Sequence, residues 1–565
     1  MKFRSGKAPS GALPSSGFRF SIPFLTAGIV LLCALLSVPA LTIIFSVGLS
    51  TDGVWQHLYE TLLWEYIGQS LLLMTGVGLL VLVIGVVPAW LVTMTRFPAS
   101  RLFEWALVLP LAIPAYIIAY TYTGMLDVAG PVQSSIRDWF GLSFGEYWFP
   151  SIRSLGGAIV MLALVLYPYV YLLSRVAFLE QSVCVLEVSR TLGAGPLRTL
   201  FKIAIPLARP AIIAGLALVL METLADYGTV QYFGLSVFTT GIFRTWFGLG
   251  SSTAAAQLSV VLMTFILFLI LAEQWSRRQA RYHHTSTKYT RLPRPRLRGW
   301  KCAAAIGCCA LPVLAGFLIP FLQLLFWTME TWNQIDRAAF ITLFLNSIRL
   351  ATIAACIALL LGLCIAYGKR LQPTLPVRSG FRFLGLGYAI PGTVIAVGVL
   401  IPFAWLDNTL DGWMRRQFDI STGLLLSGTL VAVIFAYTVR FLPLAMNTVD
   451  AGLGKIKPSM DDVGKSLGMG PLRILRRVHV PLLRGSLLTA ALLVFVDVLK
   501  ELPATLILRP FNFNTLAIRT YELANQERLA EAASSALMIV LAGIIPVIIL
   551  SLSISRARPG NDPRP

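Results

Sequence analysis

Residues 186–212 read LEVSRTLGAGPLRTLFKIAIPLARPAI, and residues 461–487 read DDVGKSLGMGPLRILRRVHVPLLRGSL. Both contain Leu-Gly-x-Gly-Pro-Leu-Arg, at 192–198 and at 467–473, an offset of 275. Each carries an acid near its start, Glu187 or Asp462, which suits the positive end of a helix. Gly193 and Gly468 permit a tight or left-handed turn. Pro206 and Pro481 sit where a new helix opens and a missing N–H costs little. Apolar residues gather on one side: Leu192, Leu197, Leu200 and Phe201 in the first stretch, Leu467, Leu472, Ile474 and Leu475 in the second. Such a helix can lie among lipid headgroups, or it can offer a knob to a groove on a soluble partner. Two copies at matching places favour the partner, because they imply a two-fold partner.

Outward from these stretches the chain is apolar. Of 565 residues, 56% are hydrophobic and 13% charged, about half the usual share of charge in a soluble domain, and the mean hydropathy is +0.76. A soluble enzyme, a fibrous protein and a disordered chain are excluded. The reading is an all-α polytopic membrane protein. Runs long enough to cross a bilayer fall at 24–49, 67–94, 103–126, 155–178, 207–232 and 254–273. They recur at 303–327, 343–367, 384–406, 421–446, 482–508 and 530–554, which makes about twelve helices. The run after the basic N-terminus is too long for a signal-peptide core and reads as an uncleaved first span. The seven cysteines form no CxxC pair and read as small apolar packing residues.

With the N-terminus inside, inner segments carry 34 Lys and Arg against 10 in outer ones. This bias places both termini in the cytoplasm, and it explains a net charge of +20 without nucleic acid. The chain then divides into an N-terminal segment 1–23, a repeat 24–274, a basic linker 275–302, a second repeat 303–555 and a tail 556–565. The linker, WSRRQARYHHTSTKYTRLPRPRLRGWK over 275–301, is suited to anionic lipid headgroups; His283 and His284 lack partners for a metal. Further matches tie the halves together: Ala-Ile-Pro at 112–114 and 389–391, Glu222 with Asp497, Asp226 with Glu501, and Arg244-Thr245 with Arg519-Thr520. Six spans per half make a parallel repeat, which favours a pathway between the halves.

The two loops resemble the EAA loops of binding-protein-dependent ABC importer permeases, spanning 186–206 and 461–481. Glu187, Gly193, Ile203 and Pro206 fall at the signature's spacings, as do Asp462, Gly468, Val478 and Pro481. Val188-Ser189 and Val463-Gly464 replace the usual Ala-Ala. The stretches 124–141, 222–234, 238–247 and 498–524 are similar to the fused permeases of ferric-iron importers, and the likeness covers essentially the whole chain. The resemblance implies a bacterial inner-membrane subunit that docks two copies of a cytoplasmic ABC ATPase and receives Fe3+ from a periplasmic substrate-binding protein. The docking residues it implies include Leu197 and Leu472. It also implies that ATP and Mg belong to the partner, since this chain has no GxxxxGK[ST] loop to hold nucleotide phosphates. No cofactor and no stable metal site are expected on this chain, which is not itself an enzyme. Importers of thiamine, polyamine or phosphonate share the design, and a secondary transporter is a more distant alternative that would not need twin docking loops. A membrane-embedded enzyme is disfavoured, since HExxH and GxSxG are missing.

Glu222 and Asp226 lie four residues apart on one helical face, and Asp497 and Glu501 repeat them, with Lys500 alongside. Intramembrane charges face a protein interior or a wet cavity. Two readings stand: structural acids, paired with Lys500 or Arg440 or capping broken helices, or a pathway of oxygen ligands for a hard cation, to which Tyr227 adds a phenol. The outward loop 127–152, rich in Trp and Tyr, suits an interfacial belt or a ledge for the binding protein, with Arg137, Arg244 and Arg519 available to surface acids. Tyr116, Tyr120 and Tyr122 read as helix packing.

Overall fold

The computed structural model describes residues 22–51, 53–143, 145–180, 195–278 and 295–556. Among these residues helix is the only extended regular structure, apart from one parallel bridge between Arg96 and Arg296. Eleven helices are long and apolar enough to cross a membrane, and one bent pair makes a twelfth. The chain is a multi-pass, all-α membrane protein.

Four expected spans are not continuous, and two of the breaks fall at an Ile-Pro step. The run 103–126 turns by 90° between Ser100–Ala112 and Ala115–Phe140. Ile113 is extended there (φ −97°, ψ 119°) and Pro114 caps the next helix, because the residue before a proline is pushed out of the α region. The matching Ile390-Pro391 does the same before Gly392–Phe418, so the repeated Ala-Ile-Pro marks two equivalent breaks. The run 207–232 stops at Ala225 and restarts as Gly228–Tyr232. The run 482–508 stops at Leu499 and restarts at Pro503. The four intramembrane acids lie at or just before these last two breaks.

Pro206 and Pro481 open the helices Ile205–Ala225 and Val480–Leu499, but each is preceded by a π-turn, Leu200–Ala204 and Leu475–His479. A proline cannot donate to the carbonyl four residues back and crowds it; the wider turn relieves that clash. A third π-turn, Leu314–Leu318, precedes Pro320 in the same way.

The halves exchange their first helices. Ile29, Cys33 and Leu36 of Ile22–Phe45 pack into the core of the second half with Leu350, Ala354 and Val377. Ala305, Cys309, Phe317 and Leu324 of the seventh span pack into the core of the first half. Glycines make the close crossings possible: a Cβ at Gly398 would strike the Pro39 backbone, and one at Gly316 would lie 2.7 Å from the Leu164 carbonyl. Small residues at such crossings are how membrane helices approach one another. The exchange locks the repeats around a shared interior.

Candidate functional site

That interior holds a cavity of about 140 Å³ lined by both halves. From the first half come Pro114, Tyr116, Tyr169, Glu222, Asp226 and Tyr227; from the second come Tyr388, Arg440, Asp497, Lys500 and Glu501. All five residues singled out for a pathway therefore share one space. The breaks explain how: each membrane helix that follows one of the two repeated loops ends beside the cavity and delivers two acids there.

Their surroundings differ. Asp226 accepts from the N–H groups of Thr229 and Val230, both at 3.1 Å, and from Thr229 Oγ1 at 3.0 Å, so it caps the restarted helix. Glu501, its counterpart, accepts from the Ala504 N–H at 3.2 Å and from Arg440 Nη1 at 3.1 Å. Asp497 pairs with Lys500 Nζ at 2.8 Å. Glu222 makes no hydrogen bond or ion pair among the described residues, and its charged neighbours are Arg440, Asp497, Lys500 and Glu501. The four acids are thus three engaged carboxylates and one open one. Tyr227 is buried against Phe243 and Tyr521, at centroid distances of 4.9 and 6.2 Å. Tyr116, expected to be packing, lines the cavity, and its hydroxyl has no protein partner. Tyr169 and Tyr388, which sequence reasoning passed over, meet across the halves. Among the described residues no group of three or more His, Cys, Asp or Glu is placed to hold a metal ion.

Of the first repeated loop, Glu187, Gly193 and Leu192 lie outside the described residues, and only the backbone of Leu197 is described. Leu200 is buried and Phe201 is exposed. The second loop is visible throughout. Helix Pro458–Ser466 ends at Gly468, whose φ of +72° is left-handed as expected, and helix Pro471–Ile474 follows. Met460, Val463, Leu467 and Leu472 are exposed, while Ile474 is buried. The apolar residues are therefore divided: Ile474 fastens the loop to the protein, and the others form an outward apolar face. Gly464, which stands where the signature has alanine, is needed here, since a Cβ would lie 2.9 Å from Ile474. Asp462 is exposed and, among the described residues, pairs with Lys465 at 3.3 Å. The adjacent Asp461, which motif spacing passed over, bonds Arg370 and His479 instead.

The segment 127–152 contains a helix, Pro131–Phe140, with Trp139, Phe140 and Trp148 exposed. Arg137 is turned toward Ser134 Oγ and the Tyr147 hydroxyl, at 3.0 and 3.1 Å, Arg519 is half-buried and Arg244 is exposed.

Comparisons with known proteins place this two-half architecture in a family. The model of the family described as "Binding-protein-dependent transport system inner membrane component" matches residues 81–280 and again 358–564. The chain belongs to this family. The double match makes it a fused permease with both membrane components in one polypeptide. Among its relatives, the Fe(3+)-transport system permease protein FbpB 2 of Haemophilus influenzae is 27% identical over 94% of this chain and 98% of its own length. The ferric transport system permease protein FbpB of Actinobacillus pleuropneumoniae is 24% identical over 94% of this chain and 78% of its own. The molybdenum transport system permease protein ModB of Escherichia coli is 28% identical but spans 39% of this chain and 95% of itself.

Proposed function

We propose that this permease is the translocation subunit of an ATP-driven importer that carries ferric iron from a periplasmic binding protein into the cytoplasm. Two copies of a soluble ABC ATPase would dock on the loops 186–206 and 461–481 through Glu187, Gly193, Leu197 and Pro206, and through Asp462, Gly468, Leu472 and Pro481. ATP and Mg would be bound there, on the partner, and both termini of this chain would lie on the same cytoplasmic side. Glu222, Asp226, Tyr227, Asp497 and Glu501 would line the path.

The observation that carries this reading is the cavity between the halves, with four carboxylates and several phenols against two cations. Its chemistry suits a hard cation and would repel an oxyanion. Conduction requires that such acids pass a cation on rather than retain it. The relatives that span nearly the whole chain bear ferric-transport names, which supports iron over the thiamine, polyamine and phosphonate alternatives. The test is reconstitution with ATPase and iron-loaded binding protein in liposomes. Iron should accumulate inside only with ATP and both partners. Uphill uptake by the chain alone on a proton or sodium gradient would favour a secondary transporter.

A further inference from the structure

The second repeated loop is fastened to the membrane core by a cluster of side chains. Asp461 accepts from Arg370 Nε at 2.8 Å and shares 2.5 Å with His479 Nε2. The same guanidinium donates from Nη1 to the Leu453 carbonyl at 2.5 Å and from Nη2 to the Ile456 carbonyl at 3.0 Å. The Tyr367 hydroxyl donates to the Pro471 carbonyl at 2.8 Å, and its ring lies edge-on to that of His479 with centroids 5.4 Å apart. Four pieces meet here: the ends of helices Arg337–Leu371 and Leu430–Gly454, the loop helix Pro458–Ser466, and the π-turn Leu475–His479 that leads to the cavity acids. His479 is fully buried.

At the 275-residue offset of the two loops, Asp461 corresponds to Leu186 and His479 to Ala204, neither of which has a polar side chain. The Asp–His pair therefore has no sequence counterpart in the first loop.

We propose that Arg370, Asp461 and His479 are positioning residues that make the second docking loop move as one body with the second half, so that ATPase closure at this loop is transmitted to the helix that carries Asp497. This rests on reading 461–481 as an ATPase-docking loop. A buried network of charge-assisted bonds behaves as a stiff unit, and rigid-body motion is how a small displacement at the cytoplasmic surface reaches a distant site. The π-turn ending in His479 places one clamp residue on the helix that carries Asp497 to the cavity, so a push on the loop is delivered straight to the pathway.

The test uses the whole complex, reconstituted in liposomes with its ATPase and ferric iron on its binding protein. ATPase co-purification, ATP hydrolysis and iron delivered are each measured. His479→Ala and Asp461→Ala should retain the ATPase and hydrolyse ATP, yet deliver about tenfold less iron per ATP, the scale of losing a charged hydrogen bond. The double variant should be no worse than either single one, as expected of one unit. His479→Gln, which keeps an N–H donor, should recover much of the ratio. Asp461→Asn serves as the milder probe should alanine impair folding. An unchanged iron-per-ATP ratio in assembled His479→Ala and Asp461→Asn complexes would overturn the clamp. Failure of the ATPase to associate even with the unaltered chain would overturn the docking reading beneath it.

Discussion

Replacing Arg440 with methionine removes the partner of a carboxylate that has almost no access to solvent. Glu501 and Arg440 side chains are 5% and 11% exposed, and their Oε1–Nη1 distance is 3.1 Å. The acid would keep only the Ala504 N–H, at 3.2 Å, since Lys500 is held by Asp497. Breaking one side of a buried pair costs about 3–5 kcal/mol, whereas neutralising both partners together is often close to neutral. Arg440→Met should therefore destabilise the chain strongly, and Arg440→Met with Glu501→Gln should recover most of the loss. Denaturation of the purified chain in detergent, followed by tryptophan fluorescence, gives the order directly. A single variant within about 0.5 kcal/mol of the original, the range of surface changes, would refute the pair as a stabilising unit. A double variant less stable than the single one would do the same.

Other expectations follow from the same geometry. Gly392→Ala would place its Cβ against Arg440 Nη1 and Glu501 Oε1; it should lower stability by about 1–3 kcal/mol, as overpacking does, read in the same denaturation assay. Gly468→Val puts a β-branched residue at φ +72°, a conformation that costs an ordinary L-residue about 1–2 kcal/mol. Uptake should fall while membrane insertion, followed by membrane fractionation and immunoblot, is kept. Burial pushes the Asp461 carboxyl up, but the hydrogen bonds and charges of Arg370 and His479 outweigh it and hold it below the usual carboxylate range. A depressed carboxyl stabilises the fold above its unfolded pKa of about 3.9, and that contribution fades as pH falls through the lower folded value. Hydrogen exchange of 458–479 should thus be unchanged from neutral pH to about pH 5 and rise relative to the rest of the chain only below about pH 4.

Much of this organisation is legible in the chain because long apolar runs have one use in a bilayer. The repeated Ala-Ile-Pro was readable as a repeat, but its meaning as a break depends on the extended Ile113 and Ile390. The cavity acids were readable because charge inside a membrane helix needs a reason. Sequence spacing made Glu222 and Asp497 look alike, and only packing shows Asp497 tied to Lys500 and Glu222 open. Motif spacing selected Asp462 where the inward-facing residue is Asp461, because adjacent positions on a helix point about 100° apart. Arg370 is 91 residues away in the chain, beyond any local pattern. The exchange of first helices leaves no signal in the order of apolar runs, since a first span can close on either half.

Iron uptake per assembled complex for Glu222→Gln tests the cavity as a pathway most directly. Glu222 makes no hydrogen bond or ion pair among the described residues, so its neutralisation breaks no such contact there and its effect reports on cargo. The expected result is a clear fall in the ratio, with ATPase association and stability unchanged. An unaltered ratio in a normally assembled complex would contradict the pathway.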